Sequence, residues 1–219
     1  MKIAIVHDWL VTLGGSELVL RELLRVFPGA DVFTLIDKMP AADRDFLGVQ
    51  STSTSFLDRL PGIATRHRAF LPLFPAAARS FDVRGYDVVI SNSHAAAKGV
   101  RTTERQLHIC YCLSPMRYAW DLRDQYLRES GWDRGARGLV ARSLLRSLQR
   151  WDRTTSDGVD VFVTLSDYIA DRIRRAYDRE AAVIYPPVDV EFYSPASTQR
   201  GEYYVTASRF VPYKRIDLI

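Results

Sequence analysis

The chain has 219 residues, 47% of them hydrophobic and 26% charged, with a formal net charge of +4 and a sequence pI near 9.1. That is ordinary globular composition, long enough for one domain of about 150–200 residues and a remainder, and no apolar run reaches the ~18 residues of a membrane-spanning helix. The basic excess is arginine and is compatible with nucleic acid, an anionic membrane or a phosphorylated substrate, so its placement carries more information than its total.

Ile3 to Val6 is a continuous apolar run between Lys2 and His7, the pattern of a strand buried on both faces. It is too short for the apolar region of a secretion signal and runs directly into His7 and Asp8, so a first strand and a cytoplasmic protein are expected. Gly14-Gly15-Ser16-Glu17 opens a helix, with Ser16 as the expected N-cap, Glu17 in the first turn, and Leu20, Leu23, Leu24 and Phe27 on one face. Pro28-Gly29 ends it, and Asp31 to Ile36 reads as a second strand. From Asp37 to Arg84 the prolines at 40, 61, 72 and 75 predict a less regular region of short helices, with a strand around Val49 to Thr54. Strands follow at 87–91 and 106–112, then a long helix from about Arg137 to Asp152 and a strand at 159–164. Ser166 caps a helix with Ile169, Ile173 and Tyr177 inward, and 182–185 is a short strand.

Cys110 and Cys112 stand two apart in a strand, about 6.5 Å from each other on one face. That spacing is near the upper limit for a disulfide, and reduced thiols are expected. The alternation of strand and helix predicts parallel strands joined by right-handed crossovers, an α/β fold built on a doubly wound, Rossmann-like sheet. Pro186-Pro187 through Pro195 and Gly201 reads as a linker stiffened by prolines. Beyond it, Tyr203 to Ser208 starts a fresh strand and Arg209 to Ile219 heads into a helix. The expected division is 1–195 for a first domain and 196–219 for the linker's end and the start of a second domain, which so short a piece leaves incomplete.

Ligands of such sheets sit outside the carboxyl ends of the strands. This rule points to Asp8, Trp9, the Gly14-Gly15 loop, Ser91 to His94, Cys112 to Arg117, and Ser166. The two glycines, ahead of a helix N-terminus, suit close approach of an anion, although a tight turn without ligand has the same sequence and the full G-x-G-x-x-G pattern is absent. Arg209 and Lys214, five apart across a turn, suit a diphosphate, or form a solvated basic turn. The loop Ser114-Pro115-Met116-Arg117-Tyr118-Ala119-Trp120 offers rings and a guanidinium to a sugar, or simply packs. Arg142, Arg146, Arg150 and Arg153 share one helix face opposite Ala141, Leu144, Leu145, Leu148 and Trp151, either to meet an anionic membrane surface or as a solvated face. His7, His67, His94 and His108 show no metal-ligand spacing; His7 and His94 fall at strand ends as candidates for a polar site, and His108 reads as strand packing. No nucleic-acid motif accompanies the arginines, and no nucleic-acid partner is expected.

Taken together, Lys2-Ile3-Ala4-Ile5-Val6-His7-Asp8-Trp9-Leu10 with Gly14-Gly15-Ser16-Glu17, Val89 to Val100, Cys110 to Asp121, Val183 to Asp189, and Ser208-Arg209 with Tyr213-Lys214-Arg215 resemble family 4 glycosyltransferases. The nearest group is the bacterial mannosyltransferase-like enzymes of O-antigen and exopolysaccharide synthesis. The resemblance implies a GT-B enzyme of two Rossmann-like domains, the N-terminal one binding acceptor and the C-terminal one the nucleotide sugar, with retention of anomeric configuration and no metal or other cofactor. It places Gly14 and Gly15 against the donor diphosphate, with Arg209 and Lys214 neutralising the leaving group. Asp8, Trp9, His94, Ser114, Arg117 and Tyr118 fall to the acceptor and sugar pocket. The implied donor is GDP-mannose, and the implied acceptor a glycan or lipid-linked sugar at the inner face of the membrane.

The chain departs from the family pattern at Leu113, where many members carry a histidine in the sugar pocket, and the family's paired glutamates are not among these residues. The expectation is therefore a hexosyltransferase whose 219-residue piece is inactive by itself. The alternative is a non-catalytic α/β module that binds carbohydrate or a membrane surface.

Overall fold

The computed structural model describes residues 1–129, 131–194, 201–208 and 216–218. Its centre is strand β1 (Ile3–His7), every residue of which is buried. A strand covered on both faces gains from apolar side chains at all positions, which is why its sequence does not alternate. Around it lie β2 (Asp31–Thr34), β3 (Thr52–Thr54), β4 (Val88–Ser93), β5 (Leu107–Cys112), β6 (Val161–Thr164) and β7 (Ala182–Val183). The seven strands form one sheet in the order β3-β2-β1-β4-β5-β6-β7, and each adjacent pair runs parallel. This is the α/β, Rossmann-like arrangement expected from the alternation of elements.

Helices α1 (Gly15–Val26) and α2 (Ala41–Leu47) cover one face of the sheet. There Ile3, Ile5 and Ile90 pack with Leu20 and Leu47. The irregular stretch resolves into α3 (Ile63–Arg66) and α4 (Phe74–Arg79) with two 3-10 turns; α4 carries Pro75 in its first turn, where a missing N–H costs nothing. These elements join α5 (Arg123–Glu129) and α6 (Gly135–Thr154) about the opposite face. Helix α7 (Asp167–Tyr177) completes that face, with Ile169, Ile173 and Tyr177 packed on Cys110, Cys112 and Phe162. The hydroxyl of Ser166 accepts from the Ile169 N–H, as a helix N-cap should. On the α1 side the cover does not reach the whole sheet: Leu107 and Val161 are both 42% exposed.

Three local expectations need correction. The N-cap of α1 is Gly14, not Ser16, because the Ser16 hydroxyl bonds the Glu17 carboxylate instead. Leu144 is exposed rather than inward: the buried positions of α6 are Gly138, Ala141, Leu148, Trp151 and Asp152. Tyr203–Ser208 forms no strand. A strand needs a neighbour to take its N–H and C=O groups, and among the described residues none pairs with this segment. The chain divides into two units, Met1–Pro187 and Val188–Ile219. In the second, Ile216–Leu218 is a single 3-10 turn; Arg209 and Lys214 lie outside the described residues.

Cys110 and Cys112 are buried free thiols. The Cys110 sulfur and burial together push the Cys112 thiol well up, which keeps it protonated and inert at neutral pH. His108, read as a packing residue, is fixed by two bonds: Nε2 lies 2.9 Å from the Ser91 hydroxyl and Nδ1 2.9 Å from the Gly158 carbonyl. Burial pushes its pKa down to about 4, against a smaller upward pull from Gly158 and Asp160. An unfolded histidine takes up its proton near 6.5, whereas the folded one resists until about 4. Stability therefore falls as pH drops through that window, on the order of 3 kcal/mol in all. Urea midpoints at pH 7 and pH 4.5 should show the slope, and His108→Gln should flatten it; an unchanged slope refutes the assignment.

Candidate active site

The strand order reverses between β1 and β4, so the crevice at their carboxyl ends is where an open α/β sheet takes its ligand. Successive residues leaving β1 point to opposite faces, and two polar clusters result. On the α1 side, His7 Nε2 lies 3.3 Å from Glu17 Oε1, and the Ser16 hydroxyl donates to the same oxygen at 2.7 Å. The Asn92 amide donates to His7 Nδ1 at 3.2 Å and to the Ser16 carbonyl at 2.8 Å. With Nδ1 accepting, the imidazole proton sits on Nε2 and faces Glu17. Burial raises the Glu17 carboxyl pKa, but the His7 ring and the Ser16 hydroxyl more than offset it, leaving that carboxyl below its ordinary value.

These bonds pin the first turn of α1 beneath the Gly14-Gly15 loop. Gly14 is extended, at φ −159, and Gly15 is helical, so neither uses glycine's special backbone freedom. A Cβ at Gly15 would meet no atom. No side chain caps the turn. The first-turn N–H groups and the helix dipole therefore favour an anion there.

On the opposite face Asp8 is fully buried. Its Oδ2 accepts from the backbone N–H groups of His94 and Ala95 at 2.6 and 2.9 Å, and Oδ1 from Ala96 and Ala97 at 2.6 and 2.7 Å. Burial alone would raise its pKa, but the His94 ring and the backbone N–H groups reverse this and hold the carboxyl well below its usual range. Asp8 was expected in the ligand pocket; it instead shapes the turn after β4. His94 Nδ1 stands 3.0 Å from Oδ2, close but not in line for a hydrogen bond. The His94 ring meets Trp9 edge-on at 4.5 Å, and His67 tilts onto the same indole at 5.0 Å.

The sequence profile of Glycosyltransferase Family 4 matches residues 13–192. The chain belongs to glycosyltransferase family 4. A crystal structure of Anabaena Alr3699/HepE with UDP and glucose has a TM-score of 0.55 at 15% identity, over 88% of this chain and 46% of that one. The same protein with UDP-glucose gives a TM-score of 0.53 at 14% identity, with equal coverage. This chain thus spans less than half the length of that protein, and at such identity the likeness is one of fold. No curated protein matches the chain.

Within this family 4 chain, the loop after β5 adjoins the turn that carries His94. Ser93 pairs with Cys112 in the sheet, and the Leu113 N–H donates to the Ser93 carbonyl at 2.8 Å. Leu113 therefore stands beside the strand end that leads into His94. Ser114 is buried and its hydroxyl donates to the Pro115 carbonyl while accepting from Arg172 at 3.2 Å. Arg172 also pairs with Asp121. Tyr118 is buried against Tyr126, and its hydroxyl pKa is raised by burial and then by Asp8, against Arg68 and Arg117. Arg117 is partly buried. Ser114 and Tyr118 thus shape the loop from beneath.

A buried ion pair behind this loop had no signal in the sequence. Lys98 Nζ lies 2.9 Å from Asp152 Oδ1, with the two side chains 2% and 0% exposed. The ammonium also bonds the Asp152 carbonyl and the Thr155 hydroxyl. Asp152 Oδ2 accepts from Trp120 Nε1 and from the Tyr177 hydroxyl, each at 2.8 Å. One carboxylate thereby ties the turn after β4, the Trp120 loop, α6 and α7 together. Gly99 packs so tightly on the Trp151 ring that a Cβ would stand 2.3 Å from Cζ2. On the outer face of α6, Arg146, Arg150 and Arg153 are exposed. Arg142 instead folds back on the Asp133 carbonyl at 2.5 Å. Beside them Leu139, Val140 and Leu144 are exposed as well.

Proposed function

We propose that this chain is the acceptor side of a retaining hexosyltransferase. It moves a hexose, mannose in the first instance, from a nucleoside-diphosphate sugar to a lipid-linked or oligosaccharide acceptor in polysaccharide synthesis. The observation that carries the reading is the uncapped N-terminus of α1 at the sheet's switch point, in a chain matched to the family over residues 13–192. A diphosphate gains there from the helix dipole and free N–H groups as its charge grows in the transition state. The complexes of Anabaena HepE with UDP and with UDP-glucose support a nucleoside-diphosphate sugar as the donor class. On motif grounds Arg209 and Lys214 serve the leaving diphosphate. Trp9, His94 and Arg117 face the acceptor, and the reading requires no metal.

In this reading the protein works in the cytoplasm at the inner face of the membrane, meeting it through α6. Exposed arginines beside exposed leucine and valine suit an anionic leaflet, at about 1 kcal/mol per basic side chain. One experiment tests both parts. The full-length gene product is incubated with UDP- and GDP-hexoses and a host lipid extract, and its sedimentation with anionic vesicles is followed in parallel. Sugar transfer to lipid is expected, with co-sedimentation lost in Arg146→Glu/Arg150→Glu. A product that neither transfers nor hydrolyses any donor overturns the activity; indifference to vesicle charge overturns the membrane contact.

A further inference from the structure

Resting on that reading, we propose that Asp152 is a positioning residue for the acceptor. Through Lys98 and Trp120 it holds the two loops that line the acceptor crevice at a fixed separation. The turn after β4 carries His94 and reaches Asp152 through Lys98, whose ammonium stands 2.9 Å from Oδ1 and also bonds the Asp152 carbonyl. The loop after β5 carries Arg117 and reaches the same carboxylate through the Trp120 indole N–H, 2.8 Å from Oδ2. The Tyr177 hydroxyl donates to that oxygen from the end of α7, also at 2.8 Å. Asp152 is fully buried, so it touches no substrate itself, and whatever it does for the reaction passes through these partners.

The loop after β5 is held from beneath. Its turn closes on hydrogen bonds from the Ala119 and Trp120 N–H groups to the Met116 carbonyl, and from the Leu122 N–H to the Arg117 carbonyl. Residues 114–116, Tyr118 and Ala119 are buried, which leaves Leu113, Arg117, Trp120 and Asp121 reaching the surface. Arg172 secures the loop at Ser114 and at Asp121, and the indole N–H ties it to α6.

Apolar packing alone would not define that geometry. A ring in a purely apolar contact can slide or turn at little cost, whereas a hydrogen bond to a buried carboxylate fixes both distance and direction. Replacing a buried ion pair by apolar side chains is often neutral in stability, so stability gives no reason for a charge at this place. A carboxylate that takes donors from the β4 turn, the β5 loop and α7 at once does give one.

The test uses the full-length gene product with UDP-glucose and GDP-mannose as donors and host lipid extract as acceptor. Trp120→Phe keeps a ring and removes the N–H. It should raise the extract concentration at half-saturation about tenfold, the worth of one hydrogen bond to a charged group, with kcat and donor KM changed less than about threefold. Lys98→Met/Asp152→Leu removes both charges together, leaves neither buried alone, and should show the same rise. Trp120→Phe added to that pair should raise it further by less than about twofold, since the partner of the indole is already gone. Leu148→Ala lowers the unfolding midpoint without removing any of these bonds and should leave half-saturation unchanged. Hydrogen exchange of amides 113–122 should quicken about tenfold in Trp120→Phe, while that of α1 stays as it is.

The inference is overturned by Trp120→Phe with half-saturation within about twofold of wild type, or by an equal rise in Leu148→Ala. It is also overturned if the effect of Trp120→Phe persists in full beside Lys98→Met/Asp152→Leu, which would mean that the indole meets the acceptor directly. A wild-type product that neither transfers nor hydrolyses sugar overturns the proposed activity and with it the acceptor role. Unchanged exchange in Trp120→Phe, which needs no turnover to measure, overturns the anchoring alone.

Discussion

Asp8→Ala is expected to lose at least about 4 kcal/mol of stability, enough to threaten a fold worth roughly 5–15 kcal/mol. Removing the carboxylate strands the four backbone N–H groups of residues 94–97 in a buried turn. A stranded buried donor costs about 1–3 kcal/mol, and the turn can relax for only some of the four. Asp8→Asn should cost less than the alanine, because one oxygen still accepts while the new amide opposes two donors. Urea unfolding measures both. An alanine variant within about 1 kcal/mol of wild type would show that the turn after β4 stands without its carboxylate.

The pH dependence separates this role from an ordinary salt bridge. Since the folded Asp8 pKa is depressed, its contribution is complete above the unfolded carboxylate value and disappears only as pH falls through the lower folded one. Asp8 therefore adds no slope between pH 5 and pH 8. Any slope found between about pH 6.5 and 4 belongs first to His108.

Lys98→Met is expected to cost about 3–5 kcal/mol, because it leaves the Asp152 charge buried without its cation. The desolvation of both charges is already incurred in folding, so the loss of either partner is felt in full. Lys98→Met/Asp152→Asn should be more stable than the single lysine variant by more than about 1 kcal/mol, since the neutral side chain still accepts from Trp120 or Tyr177. A double-mutant cycle in denaturant reads that coupling. If the single change costs under about 1 kcal/mol, water reaches the pair and the network is not closed. The same variant should weaken the hold on Trp120, whose loop lies beside the His94 turn.

Much of the architecture was legible because strands buried on both faces announce themselves without context. Ile3 to Val6 and Val88 to Ile90 are continuous apolar runs at the positions where β1 and β4 form. The Gly14-Gly15 turn, Ser166 as a cap and the inward face of α7 were legible for the same reason: capping and helical period are local properties. The failures are equally physical. Tyr203–Ser208 has the composition of a strand, but composition supplies no partner for its backbone. Leu144 has the right spacing for burial, but whether a neighbouring element reaches that position is a tertiary matter.

The site divides along the same line. Sequence by itself determined the order of elements, the family, and which short stretches meet at the strand ends, since those follow from period and motif. Only the tertiary structure decided that Asp8 turns inward to bind the backbone of residues 94–97, that His94 and His67 meet on Trp9, and that Lys98 finds Asp152. Those partners are separated by 54 or more residues. No local propensity encodes such a meeting; parallel strand pairing sets it, by bringing distant strand ends to one edge of the sheet.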